Sequence, residues 1–120
     1  MEELINALKA SLADHYALYF KAQGYHWNVE CSDFEEYHTL FGKIYDDAIG
    51  SVDDIAENIR KLNAYAPFKM TRFCELTTVP ETDVASDCRS MTQDLLSAVE
   101  LVIISNMAAY RAAEAADEVG

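Results

Sequence analysis

Glycine and proline are scarce, at four and two residues in a chain of 120. That scarcity excludes collagen-like and Pro/Gly-rich disordered classes, and it disfavours the many tight turns of a β-sandwich. Lys and Arg together number nine against 21 Asp and Glu, a formal net charge of −12. A phosphate-backbone partner needs clustered cations, so direct DNA binding is not expected. The acidic surface is read mainly as a solvated face that also concentrates cations. Cysteine is limited to Cys31, Cys74 and Cys88, an odd number with no CxxC pair. This argues for buried or free thiols in a reducing cytosol over a disulfide framework or a zinc site. No apolar run approaches the roughly 18 residues of a membrane span. Met1-Glu2-Glu3-Leu4 enters helical periodicity at once, without the character of a signal peptide. The expectation is a soluble, cytoplasmic chain forming one domain over residues 1–120, small enough to gain from oligomerisation.

What the chain does have is helical periodicity. Leu4, Leu8, Leu12, Tyr16, Tyr19, Phe20 and Trp27 mark an amphipathic helix over residues 2–28. Asn28 to Asp33 break it, and Ser32 with Glu35 gives the capping-box spacing of a new start. Phe34, Tyr37, Phe41, Ile44, Tyr45, Ala48, Val52, Ile55, Ile59 and Leu62 continue a second stripe, and Ala66-Pro67 ends the regular pattern. Gly42 and Gly50 weaken that helix by about 1 kcal/mol each relative to Ala, and such glycines allow a neighbour to approach closely. Residues 68–76 suit a short helix, and 77–82 a loop around Pro80. A third long helix is predicted over 83–116, with Met91, Leu95, Val99, Val102, Ile103, Asn106 and Tyr110 on one face. The fold class is all-α: an antiparallel bundle of three long helices and a short middle one, with apolar faces wide for three helices alone.

Four residues carry candidate chemistry. Asp53 and Glu57, four apart, stack on one helix face as a carboxylate pair for a cation. His26 and His38 flank the first turn at similar heights, so their imidazoles can share a site. Two His plus carboxylates suits Fe(II), and also Zn or Mn. His38 lies fifteen residues before Asp53. At 1.5 Å per residue that is about 22 Å, so the two clusters cannot meet at one ion within a subunit. An antiparallel second copy would bring them together, which predicts a two-fold dimer with metal in its seam. Taken singly, a helical histidine is more often structural, and an i, i+4 acid pair more often a solvated face; the combination carries the weight.

The segment Tyr25-His26-Trp27-Asn28, His38 twelve residues after His26, and Asp53 and Glu57 in Asp53-Asp54-Ile55-Ala56-Glu57-Asn58 resemble the Dps family of ferritin-like mini-ferritins. The resemblance extends through Ile59-Arg60-Lys61-Leu62 and covers nearly the whole chain. It implies a ferroxidase centre at a two-fold interface, with His26 and His38 from one subunit and Asp53 and Glu57 from its partner. It implies Trp27 beside that centre, a homo-oligomeric, dodecameric cage, and oxidation of Fe(II), preferably by hydrogen peroxide, with storage of the ferric product.

The chain departs from that pattern in three places. Many relatives carry an Asp one turn after the second histidine, where this chain has Gly42, so a second iron position is expected to be weak or water-supported. Glu2 and Glu3 stand where DNA-binding members carry a basic tail. A fourth long helix is absent from this sequence. Two other readings compete with the ferroxidase. An intrasubunit di-iron protein would need repeated E-x-x-H motifs, and only Glu35-Glu36-Tyr37-His38 offers one. A non-catalytic assembly protein of the same fold would have no need of all four ligands at their spacing.

Overall fold

The computed structural model describes residues 1–84 and 87–119, and all five elements among them are helices. α1 (Glu2–Asn28) carries Glu2 and Glu3 in its first turn and His26 in its last, the charge order that suits the helix dipole. α2 (Phe34–Gly50), α3 (Val52–Lys61), α4 (Met70–Leu76) and α5 (Cys88–Val119) follow, and α1 packs against each of them. The bundle measures 55 × 26 × 20 Å along its principal axes.

The predicted stripe on α1 holds at Leu4 and Leu12, while Leu18, Ala22 and Tyr25 complete it. Phe20 and Trp27 lie outside, 52% and 67% exposed. Leu18, Ala22 and Tyr25 pack with Phe41 of α2 and with Met91 and Leu95 of α5 in the main core. Leu12 packs with Val52 and Ile59 of α3 in a second cluster, which Tyr16 and Phe73 flank. Burial of these side chains contributes about 1.5–3 kcal/mol each, the main force holding the helices together.

Several sequence expectations are corrected. The Ser32–Glu35 capping box does not form: α2 starts at Phe34 with Asp33 at its N-cap, and no side chain caps it. The second long helix is jointed at Ser51, whose N–H bonds back to Ala48 O and whose hydroxyl bonds Asp47 O. Such a tightened turn beside Gly50 bends a helix. α3 then ends before Ala66-Pro67, at a Schellman arrangement with Asn63 in the left-handed region at φ 65°. The N–H groups of Asn63 and Ala64 bond Arg60 O and Ile59 O.

The third long helix starts at Cys88, not Asp83; residues 83–84 are non-helical and 85–86 lie outside the described residues. Asp87 accepts from the Ser90 N–H at 2.7 Å, as a helix N-cap does, and these bonds from Ser90 hold its carboxyl below the usual range. The inward stripe of α5 is Met91, Leu95, Ala98, Val102, Ser105 and Ala109. Small residues there let α5 lie close to α1, and Ile103 and Tyr110 face outward with Leu96, Ile104 and Met107. Only Glu100 is charged between Asp94 and Arg111, so Cys88–Asp117 is long and apolar enough to cross a membrane by length and composition. That corrects the expectation of no such run. The helix nevertheless packs along α1, joined to it by the Lys21–Asp94 ion pair and the Ser11–Asn106 hydrogen bond.

The cysteine expectation is corrected as well. Cys31, in the α1–α2 turn, is disulfide-bonded to Cys88, the first residue of α5, across 57 positions with Cα atoms 6.3 Å apart. Cys74 is free and exposed. No CxxC signal marks such a pair, because it depends on where the turn meets a helix distant in sequence.

Candidate metal centre

The α1–α2 hairpin places His26, two residues before the end of α1, against His38 in α2. Their imidazoles stack with centroids 3.6 Å apart and planes at 17°. Nδ1 of His26 lies 2.6 Å from the backbone oxygen of His38, and Nδ1 of His38 lies 2.8 Å from that of His26. A carbonyl oxygen only accepts, so each Nδ1 must donate, and each neutral ring keeps its Nε2 lone pair free. Binding the second ring nitrogen in this way is how proteins orient histidine ligands.

Aromatic neighbours close both sides of the pair. Phe34 stacks on His38 at 4.9 Å and 18°, and Tyr45 meets His26 edge-on at 5.2 Å and 71°. Between His38 and Tyr45 lies Gly42, where an added Cβ would sit 3.2 Å from Cε1 and Nδ1 of His26. The sequence reading placed both aromatics in the apolar stripe and not against the histidines. Phe34 precedes His38 by four, so its place was legible from helical spacing; the Tyr45 contact crosses between helices and was not.

Asp53 and Glu57 are exposed on α3. Asp53 lines a hollow of about 290 Å³ with Phe20, Phe68 and Met70, which are themselves 52%, 79% and 73% exposed. Among the described residues, no three His, Cys, Asp or Glu lie close enough to hold one ion. The single chain therefore joins the two histidines and does not bring the two carboxylates to them.

Two polar centres, one buried and one half-buried, escaped the sequence reading. Asp14 is fully buried in α1 and accepts from the Thr77 hydroxyl, the Thr78 N–H and the Thr78 hydroxyl at 2.6, 2.7 and 2.9 Å. Asp94 of α5 receives Lys21 at 2.7 Å, together with the Tyr25 and Thr82 hydroxyls. Burial pushes the Asp94 carboxyl up, but the bonds from Lys21, Tyr25 and Thr82 together hold it below the usual range. Burial, then the adjoining Asp94, raises the Tyr25 hydroxyl above its ordinary value. Both centres are bonded to internal partners and serve to fix α1 against its neighbours.

The ferritin-like domain family matches residues 5–120. A Dps protein from Vibrio cholerae O1, described as a member of a broad superfamily of ferritin-like diiron-carboxylate proteins, superposes with a TM-score of 0.89 at 30% identity, over 98% of this chain and 74% of that one. The DNA protection during starvation protein of Porphyromonas gingivalis is 27% identical over 117 residues, 97% of this chain and 74% of the relative. An uncharacterized low temperature-induced protein of Nostoc sp. is 37% identical over 78 residues, 65% of this chain and 44% of the relative. The chain thus matches less than half the length of the Nostoc relative and about three quarters of the other two.

Proposed function

Because the chain belongs to the ferritin-like family, and within it to the Dps branch, we propose that it is a mini-ferritin whose substrate is Fe(II). His26 and His38 of one subunit and Asp53 and Glu57 of another form its oxidation centre. The observation that carries this reading is the crossed Nδ1–carbonyl pairing, which orients both rings and, among the described residues, leaves each Nε2 without a hydrogen-bond partner. Exposed carboxylates on α3 supply the hard, anionic oxygens that favour Fe(III) over Fe(II), so electron loss is easier at the completed site.

A second copy of the chain is the natural source of the missing half. Phe20, Phe68 and Met70 surround Asp53 as an exposed apolar patch, and Trp27 beside His26 is 67% exposed. Patches of this kind mark surfaces that are covered in an assembly. Joining them antiparallel would bury both patches and bring each histidine pair to a carboxylate pair. Trp27 would then pack at the centre, and the oligomer would close as a cage that sequesters the ferric product. Each hydrogen peroxide takes one electron from each of two Fe(II) and, with two protons, becomes two waters. Oxidation by this route releases no hydroxyl radical. Protection of DNA would follow from that chemistry, since a net charge of −12 offers little to a phosphate backbone.

The test is complementation. His38→Ala and Asp53→Ala should each lose most anaerobic Fe(II) binding and most oxidation on peroxide addition. Oligomers reassembled from both variants should regain part of it, because some seams receive two intact halves. Verified mixed oligomers that stay inactive would overturn the shared centre. A second reading, a non-catalytic assembly protein, is favoured by the exposed Leu96, Ile103, Ile104, Met107 and Tyr110 on α5. It requires wild-type protein that assembles but neither binds nor oxidises Fe(II).

A further inference from the structure

We infer that Tyr45, Tyr19 and Tyr16 form an electron relay between the histidine half-site and the carboxylate half-site of one subunit. The inference deepens the proposed function and rests on it: where each centre is shared, a subunit's histidines belong to one centre and its carboxylates to the other. A path between them therefore joins the two oxidation centres of a dimer.

The rings run without a gap from the histidines to the hollow at Asp53. Tyr45 meets His26 edge-on at 5.2 Å, Tyr19 lies 5.8 Å from Tyr45, and Tyr16 lies 6.5 Å from Tyr19, measured between ring centroids. Centroids about 4.5–7 Å apart mark aromatic rings in contact. Tyr16 in turn lines the same hollow as Asp53. Helix spacing separates the two half-sites by about 22 Å, so one long electron jump would be slow where three short ring-to-ring steps are not. Packing alone is a poor account of the hydroxyls, since phenylalanine would fill the same space. Among the described residues, the hydroxyls of Tyr16 and Tyr45 bond to no protein group, and no buried side-chain oxygen lacks a partner, so both reach water. Tyrosine, unlike phenylalanine, gives up an electron together with its phenolic proton, and water is at hand to take that proton.

Peroxide chemistry gives the path a use. Reducing hydrogen peroxide to water takes two electrons, and each Fe(II) gives one. Two imidazoles and two carboxylates furnish one ion position, and Gly42, which faces the His26 ring, adds no donor. With Fe(II) at both centres of a dimer, peroxide at one takes an electron from the Fe(II) there and a second through Tyr45. Tyr45 is refilled through Tyr19 and Tyr16 from the Fe(II) at the other centre. Two Fe(II), hydrogen peroxide and two protons become two Fe(III) and two waters, and the tyrosines end unchanged. Without the relay, a lone Fe(II) and peroxide give Fe(III), hydroxide and a hydroxyl radical.

The experiment compares intact wild-type oligomer with Tyr19→Phe, which keeps the ring and its packing but not the oxidisable hydroxyl. Tyr110→Phe, altered on the exposed face of α5, is the control. Anaerobic protein loaded with one Fe(II) per subunit receives limiting peroxide, and the Fe(II) oxidised per peroxide and the spin-trapped hydroxyl radical are read. Wild type and Tyr110→Phe are expected to oxidise two Fe(II) per peroxide with no trapped radical; Tyr19→Phe should fall toward one, with trapped radical. At one Fe(II) per dimer the relay cannot be refilled, so freeze-quenched EPR should show a tyrosyl radical, narrowed by ring-deuterated tyrosine and lost in Tyr45→Phe. Tyr19→Phe equal to wild type in ratio and trapped radical, or wild type without a tyrosyl radical, overturns the relay and leaves the ferroxidase standing. Wild type that oxidises no Fe(II) overturns the ferroxidase reading and the relay with it.

Discussion

His26 and His38 are tied crosswise, each ring nitrogen Nδ1 bonded to the other residue's backbone oxygen, at 2.6 and 2.8 Å. Neither imidazole is oriented by its own helix alone, and the rings stack at 3.6 Å, so removing one ring leaves the other its backbone acceptor but takes away its stacking partner. Groups that act as a unit give non-additive mutational effects. His26→Ala and His38→Ala should each lower Co(II) affinity by about tenfold or more, and the double variant should be little worse than either single. Calorimetric titration of all three checks this. Losses that simply add would mean that the rings act independently.

The Cys31–Cys88 bond gives a second prediction. It closes a loop of 57 positions between the α1–α2 turn and the start of α5. Cross-links of this span stabilise by about 2–4 kcal/mol, chiefly by restricting the unfolded chain. Urea midpoints should therefore drop on adding reductant to wild type and be insensitive to it in Cys31→Ser/Cys88→Ser. Cys74→Ser should change neither value. A wild-type midpoint unmoved by reductant would remove the bond from any account of stability.

How far these features were legible in the sequence depends on the range of the interaction. α1 was readable almost to the residue, because periodicity and the break at Asn28 are local signals. The histidine hairpin was readable because a short antiparallel turn converts sequence spacing into height. Ser51 was not recognised as a joint, because a single tightened turn barely alters the apolar stripe. The face of α5 was read correctly at Met91, Leu95 and Val102 but not at Ile103 and Tyr110, which point outward while alanine and serine pack inward. Hydrophobicity alone ranks those residues in the opposite order. Asp14 carries no local signal that sets it apart; only the return of Thr77 and Thr78 after α4 makes it a buried acceptor.

Asp94 sets an acid limit on stability. Its folded pKa is depressed, so its contribution is full above the ordinary aspartate value of about 3.9 and is lost as pH falls through the folded value. Tyr25 is shifted the other way. Its contribution is full below about pH 10 and is lost as pH rises through its raised folded value. Asp94→Asn leaves the Lys21 side chain, 6% exposed, without its counter-charge. Breaking a buried pair costs about 3–5 kcal/mol, and the 27% exposure of Asp94 reduces the expected loss to about 2 kcal/mol. Urea unfolding across pH should show a constant gap between wild type and variant from about pH 5 to 9, closing only in acid. A gap that widened in acid would contradict the sign.

Asp14 makes the last prediction, since it holds the segment after α4 onto α1. Asp14→Ala would leave the Thr77 hydroxyl and the Thr78 N–H and hydroxyl without their acceptor. An orphaned buried donor costs about 1–3 kcal/mol. Thr78 is exposed and Thr77 half-buried, so water can reach part of the gap. The expected total is about 2 kcal/mol, below the sum of three orphaned donors. Asp14→Asn keeps one acceptor oxygen and the shape of the side chain, and should cost about half as much. Hydrogen exchange separates a local from a global effect, because the Thr78 N–H bonds directly to Asp14 Oδ1 at 2.7 Å. That amide should lose protection in Asp14→Ala beyond the change in global stability, while amides in the middle of α5 follow the global value alone. Equal loss at both places would mean that Asp14 supports the bundle as a whole rather than this segment.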